Sequence, residues 1–367
     1  MTMQALLADL FPWVVALYLA DGLVQARRGH LLLVSGGGPF RLLRAGLHLV
    51  GVSPLDEVVA AHDLPFLAST AHVHVLDPRA KADVARVEEV DLEAVPLDAL
   101  HPVEREARRV RGAGQVLVVA PTAEWAEALR EDLAALAAAP PNGRPALLAR
   151  RHAERGDLAA ARALRARQRP FLAPLRACAV LLAAAFFVLW PLAAYAPERA
   201  PIPAGALLAT IGLLVLAAGA LALAMALRCG EGGRAAVASA LHLVLFPLAA
   251  AHPLLHAGRG LYRRFDAMVV AAVLLPADAL RAVAGRELWR ARLSRAFTPA
   301  TLGAAWDSRE RLLAALLAAT GSTTDEALAA PDAVAEMAGW CPLCGAQYRA
   351  GRAACADCGV PVQPFTP

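Results

Sequence analysis

The sequence predicts an α-helical integral membrane protein with a small β-rich or α+β cytoplasmic part and a C-terminal cysteine module, on three observations. The 367 residues are 58% hydrophobic with a mean hydropathy of +0.48, and only 19% are charged, whereas soluble domains carry about 25% charged residues. Residues 177–196 and 200–227 contain no charged side chain, and each reaches the roughly 20 residues a helix needs to cross a hydrocarbon core of about 30 Å. Four of the six cysteines fall in two C-x-x-C-G groups close together near the C-terminus.

The two uncharged runs define a transmembrane helical hairpin over 177–227, because Pro197, Glu198, Arg199, Pro201 and Pro203 form a polar, proline-rich turn between them. Arg165, Arg167, Arg169 and Arg176 precede the pair and Arg228 and Arg234 follow it, while the turn holds only Arg199. The positive-inside rule then puts both ends in the cytoplasm. Gly205, Gly212 and Gly219 recur along the second helix and predict a face where another helix packs closely. Residues 4–25 give a further transmembrane helix, with Arg27 and Arg28 inside and the N-terminus outside. The competing reading is an interfacial helix, since Asp9 and Asp21 bound its apolar run. It lacks the basic start and small-residue cleavage site of a signal peptide. Residues 235–285 are ambiguous: Arg234 and Arg259 flank the first apolar run, Pro247 and Pro253 interrupt it, and the second run is short. They read as a re-entrant or in-plane pair, with a second membrane hairpin as the alternative.

Between these segments, residues 26–80 read as a β-rich cytoplasmic module, with strands at 30–34, 40–52 and 71–76 and a glycine turn at Gly36, Gly37 and Gly38. Residues 81–170 form an α-rich cytoplasmic region. One buried strand at 115–120 interrupts it, then a helix opens at Pro121 and Glu124, and another runs from 145 through 169 with a break at Gly156 and Asp157. Residues 151–161 resemble the helical hairpin of tetratricopeptide repeats, but there is no second copy and hence no array. Amphipathic helices over 286–337, the last with a capped start after Gly321, lead directly into the cysteines.

The cysteine segment reads Trp340-Cys341-Pro342-Leu343-Cys344-Gly345 and then Cys355-Ala356-Asp357-Cys358-Gly359. A two-residue gap lets both sulfurs of a knuckle face one ion, and two knuckles complete a tetrahedron. Gly345 and Gly359 stand where the chain turns back and a residue without Cβ takes positive φ. Over residues 340–361 this segment resembles the zinc-ribbon family, which completes the expected fold with a C-terminal zinc ribbon. The resemblance implies a structural Zn²⁺ held by Cys341, Cys344, Cys355 and Cys358. Four thiolates leave no open position for water or substrate. Iron in a rubredoxin-like site is the competing reading, because Tyr348 follows the first knuckle, although the arm between the knuckles is shorter than in that family. A reduced tetrathiolate points to a cytoplasmic C-terminus. Cys178 and Cys229 read as free small hydrophobes.

Catalytic motifs of the G-x-S-x-G, H-E-x-x-H, Walker or dinucleotide kinds are missing. His242, His252 and His256, with Asp266 and Asp278, form the rival candidate, a membrane-embedded enzyme or transporter site, since polar groups in membrane segments are functional by default. His72 and His74 share a strand face without a third ligand nearby. The glycine turn lacks the Gly-Lys-Ser of a phosphate loop, so it reads as a hairpin turn. Of the basic residues only Lys81 is lysine, and alanine and arginine abound, a bias of GC-rich coding that leaves arginine little functional meaning by itself. The net charge of +4 fits arginines at membrane edges better than a nucleic-acid surface. Arg349 and Arg352 with Tyr348 and Trp340 offer nucleic acid only a thin surface. The expectation is a multi-pass protein of the bacterial inner membrane, with the zinc ribbon in the cytoplasm and a non-catalytic interaction or assembly role. Its partners are then the lipid bilayer and a protein at the cytoplasmic face.

Overall fold

A computed structural model of the chain describes residues 2–28, 30–35, 47–53, 56–60, 68–69, 71–74, 94–230, 233–234, 236–237, 240–241, 257, 260–294, 303–356 and 358–365. They divide into two compact units, one of Met1–Ala26 with Arg162–Leu261 and one of Arg27–Ala161 with Tyr262–Pro367.

The chain opens with helix α1 (Met3–Arg28) and enters an antiparallel sheet of β1 (His30–Ser35), β2 (Leu47–Ser53) and β3 (Asp56–Ala60), with His30 opposite Val52. A two-stranded ladder joins β4 (His72–His74) to β5 (Ala94–Pro96). The third sheet is a meander of β6 (Glu104–Glu106), β7 (Arg109–Gly112) and β8 (Gln115–Val119). Ala113 and Gly114 both take positive φ between β7 and β8, the two-residue hairpin geometry whose twist matches that of the strands. The expected strand at 115–120 is thus present. Strands β6 and β7 fall where only helix was expected, because their outward positions carry Glu and Arg and mimic a charged helix.

Helix α2 (Ala123–Ala138) starts where the Thr122 side chain accepts the Trp125 amide at 3.1 Å, an N-cap worth about 1 kcal/mol. Trp125, Leu129, Leu133 and Leu136 repeat at helical spacing and are fully buried, in one cluster with Val110, Leu117 and Val118. Beyond the end of α2, Arg144 donates to the carbonyls of Leu136 at 3.2 Å and Ala139 at 3.1 Å and pairs with Asp98, satisfying acceptors a helix terminus leaves open. Arg144 also begins α3 (Arg144–Gly156). The break expected at Gly156 and Asp157 is present, with Asp157 accepting the Ala160 amide at 2.8 Å at the start of α4 (Leu158–Ala184).

The first unit is built from α4 and the helices after it. A π-turn (Ala185–Leu189) carries α4 into α5 (Trp190–Tyr195), just before Pro191, which cannot donate to the helical ladder. A short turn at Pro197–Arg199 leads to α6 (Ala204–Arg228). Leu207, Ile211, Val215 and Ala222 of α6 pack with Leu182, Phe186 and Trp190, and Leu7 of α1 joins them. Gln4 donates to the Ala194 carbonyl at 3.2 Å and Trp190 to that of Leu7 at 2.9 Å, while Tyr18 meets Phe187 edge to face. The first residues of α1 meet Trp190, Ala194 and Tyr195 and the later Tyr18 meets Phe187, so α1 runs antiparallel to α4 and α5. Among the described residues, the glycine face does not form the packing surface expected of it. Gly205 and Gly212 have no neighbouring atom where a Cβ would stand, and only Gly219 is buried.

Among the described residues, three helical stretches are long and apolar enough to cross a membrane: Met3–Val24, Leu158–Tyr195 and Ala204–Arg228. The chain is mostly helical, with small sheets and a terminal cysteine cluster. Most of 235–256 lies outside the described residues, but the second apolar run of the ambiguous segment is α7 (Ala267–Leu274). At about 12 Å this helix is too short to cross, and its first six residues are buried within the second unit. After it come α8 (Ala277–Ser294), α9 (Gly303–Ala318) and α10 (Thr324–Leu328). Thr323 and Glu326 form the expected cap reciprocally, each side chain accepting the other's amide. A closing sheet in the order β10-β9-β11 is made from β9 (Gly339–Trp340), β10 (Gln347–Tyr348) and β11 (Gln363–Pro364).

Candidate metal centre

The first knuckle joins β9 to β10 and the second is closed by a bridge between Ala354 and Pro361, and the two repeat one hydrogen-bond pattern. The Cys341 amide donates to the Ala346 carbonyl at 2.8 Å and the Gly345 amide to the Cys341 carbonyl at 2.8 Å. In the second knuckle Cys355 donates to Val360 at 2.8 Å and Gly359 to Cys355 at 3.0 Å. Gly345 and Gly359 have φ of +73° and +68°, as a turn directly after the second cysteine requires. Gly339 has its own reason to lack a side chain, since a Cβ there would stand 2.7 Å from Val362 and 2.8 Å from the Gln363 carbonyl.

The four sulfurs of Cys341, Cys344, Cys355 and Cys358 lie within 4.8 Å of one another, and all four residues are buried. Cys344 and Cys355 are 3.6 Å apart at Sγ, far beyond the 2.05 Å of a disulfide. A tetrahedron with 2.3 Å metal–sulfur arms has edges of about 3.8 Å, so the observed edge suits a shared ion. Their proton affinities diverge for the same reason: Cys344 is held low by hydrogen bonds from Cys341 and Cys358, Cys341 is pushed up by its bond to Cys344, and Cys358 is pushed up by its bonds to Cys341 and Cys344. Four sulfurs this close cannot all ionise without a cation among them, and a bound cation would make all four thiolates.

Three residues around the cluster were not singled out for this role in the sequence. Tyr348 donates its hydroxyl to Cys355 Sγ at 3.1 Å and accepts the Ala356 amide at 3.2 Å, and burial raises its phenol above the ordinary range. Its place seven residues before Cys355 was legible in the sequence only as a rubredoxin-like trait or part of a thin aromatic surface. Trp289 of α8 packs against the cluster with Leu293, meets Trp340 edge to face at 5.9 Å, and donates to the Leu328 carbonyl at 3.3 Å. Arg286, one helical turn earlier, is 9% exposed, and its Nε and Nη1 have no hydrogen-bond partner. Burial pulls its guanidinium down to about 9, aided by Arg290 and opposed by Glu287 and by the sulfurs of Cys358 and Cys344. Nothing local in sequence marks Trp289 or Arg286, because their contacts are made by residues far along the chain.

Of the rival constellation only Asp266 and Asp278 are among the described residues. Asp266 caps α7 and pairs with Arg309 at 2.7 Å, both side chains being buried. Asp278 lies exposed in the first turn of α8. His242, His252 and His256 are outside the described residues, as are the glycines at 36–38. His72 is exposed on β4 and shares that strand with His74. Cys178 and Cys229 are buried in the first unit and take no part in the cluster. No protein-family model, curated protein or solved structure matches this chain.

Proposed function

We propose that this chain is a multi-pass protein of the bacterial inner membrane, anchored by α1, the long α4–α5 helix and α6. Its cysteine cluster holds one structural zinc ion in a cytoplasmic zinc ribbon, and that module serves assembly with a protein partner and not catalysis. The observation that carries this reading is the closed set of four buried sulfurs, two from each of two matching knuckles. Cys341, Cys344, Cys355 and Cys358 would be the ligands, and the ion would supply cross-linking and folding energy to a segment with little core of its own. Zinc is favoured over iron by the short arm between the knuckles. A tetrathiolate around a divalent ion carries two net negative charges, and the buried Arg286 supplies one compensating positive charge of the kind a low-dielectric setting demands.

Orientation rests on the arginines. Antiparallel packing of α1 on α4 and α5 brings the N-terminal end of α1 beside the turn at 197–203, so the last residues of α1 up to Ala26, the arginines early in α4, and Arg228 lie toward the opposite end. That end faces the cytoplasm under the positive-inside rule. Reporter fusions at the C-terminus test it: a fluorescent protein, which matures in the cytoplasm, is expected to be bright and a periplasm-dependent phosphatase inactive. The reverse pattern refutes the orientation.

A further inference from the structure

A pocket of about 290 Å³ lies within the second unit, walled by the last turn of α3, by residues 308–312 of α9 and by Asp266. Its lining carries three arginines, Arg155, Arg309 and Arg311, against one acid. That acid is already engaged through both oxygens: Oδ1 accepts the Met268 amide at 2.6 Å and Oδ2 accepts from Arg309 at 2.7 Å. A metal cation would therefore meet arginines and no free carboxylate. Donors, by contrast, remain available. Arg155 is 7% exposed and gives Nε and Nη2 to Asp132 at 3.0 and 2.5 Å, yet its buried Nη1 has no hydrogen-bond partner. The buried Nε2 of His152 has none either. Ser308 adds a hydroxyl and Arg311, exposed at the rim, a second guanidinium. Buried donors left unpaired are costly, and a guanidinium anchored along one edge presents its remaining N–H groups in a fixed direction.

We propose that this pocket binds a phosphate group, carried by a small soluble phosphomonoester or by a lipid headgroup. A phosphate offers oxygens enough to take donors from two helices at once, and charge-assisted bonds from arginine are the strong ones. The volume leaves room for a small organic part beside the phosphate. Asp132 keeps Arg155 aligned, and Arg151, 3.2 Å from the same carboxylate, holds Asp132 in turn. This inference is independent of the metal, since no lining residue belongs to the cysteine cluster.

The test is calorimetric titration of the full chain in a maltoside detergent, with inorganic phosphate, glycerol phosphate and a short-chain phosphatidic acid as separate probes. Saturable binding of the soluble probes supports a free ligand, and phosphatidic acid binding about tenfold tighter than glycerol phosphate supports a headgroup. Arg155→Lys keeps a cation on Asp132 but removes the free N–H, and it should weaken binding about tenfold or more. Arg311→Gln and Ser308→Ala leave both buried ion pairs intact and should weaken it with an unchanged unfolding midpoint. No heat from any probe at millimolar concentration overturns the proposal, as does equal affinity in the wild type, R155K and R311Q.

Discussion

The two units of this chain hide opposite kinds of surface. In the first, outward positions are apolar, with Trp13, Val180 and Leu213 each about 70% exposed, while the interior is a modest cluster around Leu7, Phe186, Trp190 and Ile211. In the second, Trp125 and the aliphatic side chains clustered with it are buried, the strand Glu104–Glu106 is exposed, and four of the buried charges form two ion pairs, Asp132 with Arg155 and Asp266 with Arg309. Soluble monomers rarely leave large apolar patches open. Lipid tails make no such demand, and they would leave helix association to packing and hydrogen bonds such as that from Trp190 to Leu7. One chain thus carries two patterns of exposure, and the cysteine centre belongs to the unit with the polar exterior.

Substitutions that reverse the pattern probe this contrast. The largest effect is expected for Leu213→Asp on the outer face of α6. In water an exposed leucine is exchanged within about 0.5 kcal/mol, but at the centre of a bilayer an aspartate costs about 2.5–3.5 kcal/mol. The yield of folded chain extracted from membranes should fall severalfold, and an unchanged yield would break the comparison. Next comes Gly285→Ala in α8, where a Cβ would stand 1.9 Å from the Ala327 carbonyl. Overpacking of this kind costs about 1–3 kcal/mol, and hydrogen exchange should rise across α8 and α10 while α6 keeps its protection. The smallest is Tyr348→Phe, which removes the hydroxyl from Cys355. Loss of such an outer partner weakens metal affinity by about 10–100-fold, readable by competition with a chelator, whereas unaltered affinity would make Tyr348 a packing residue only.

Legibility in the sequence followed the range of the interactions. The knuckles are local devices, and their spacing and glycines declare the cluster outright. The cap at Thr323, the start of α2 and the break before α4 are also local, and all were readable. The seat of the centre was not, because Trp289 and Arg286 reach it only once α8 folds back. The β6–β7 hairpin was missed because strands this short, with Glu and Arg outward, carry almost no alternation signal. The glycine repeat in α6 misled for a simpler reason: spacing puts small residues on one face but does not say which face the neighbours choose, and Leu207, Ile211 and Val215 won that contact. Helix α7 is apolar on all sides, and the same pattern suits a membrane segment or a buried core helix of eight residues.

The proposed zinc can be tested at its root, since structural zinc sites contribute on the order of 10 kcal/mol to folding at neutral pH. The most direct measurement is the elemental content of the full chain purified from membranes, compared with its Cys341→Ser and Cys358→Ser variants. The expected result is one zinc per wild-type chain that survives mild chelation, and little or none in either variant. Iron in place of zinc, or equal zinc in wild type and variants, would contradict the structural-zinc account.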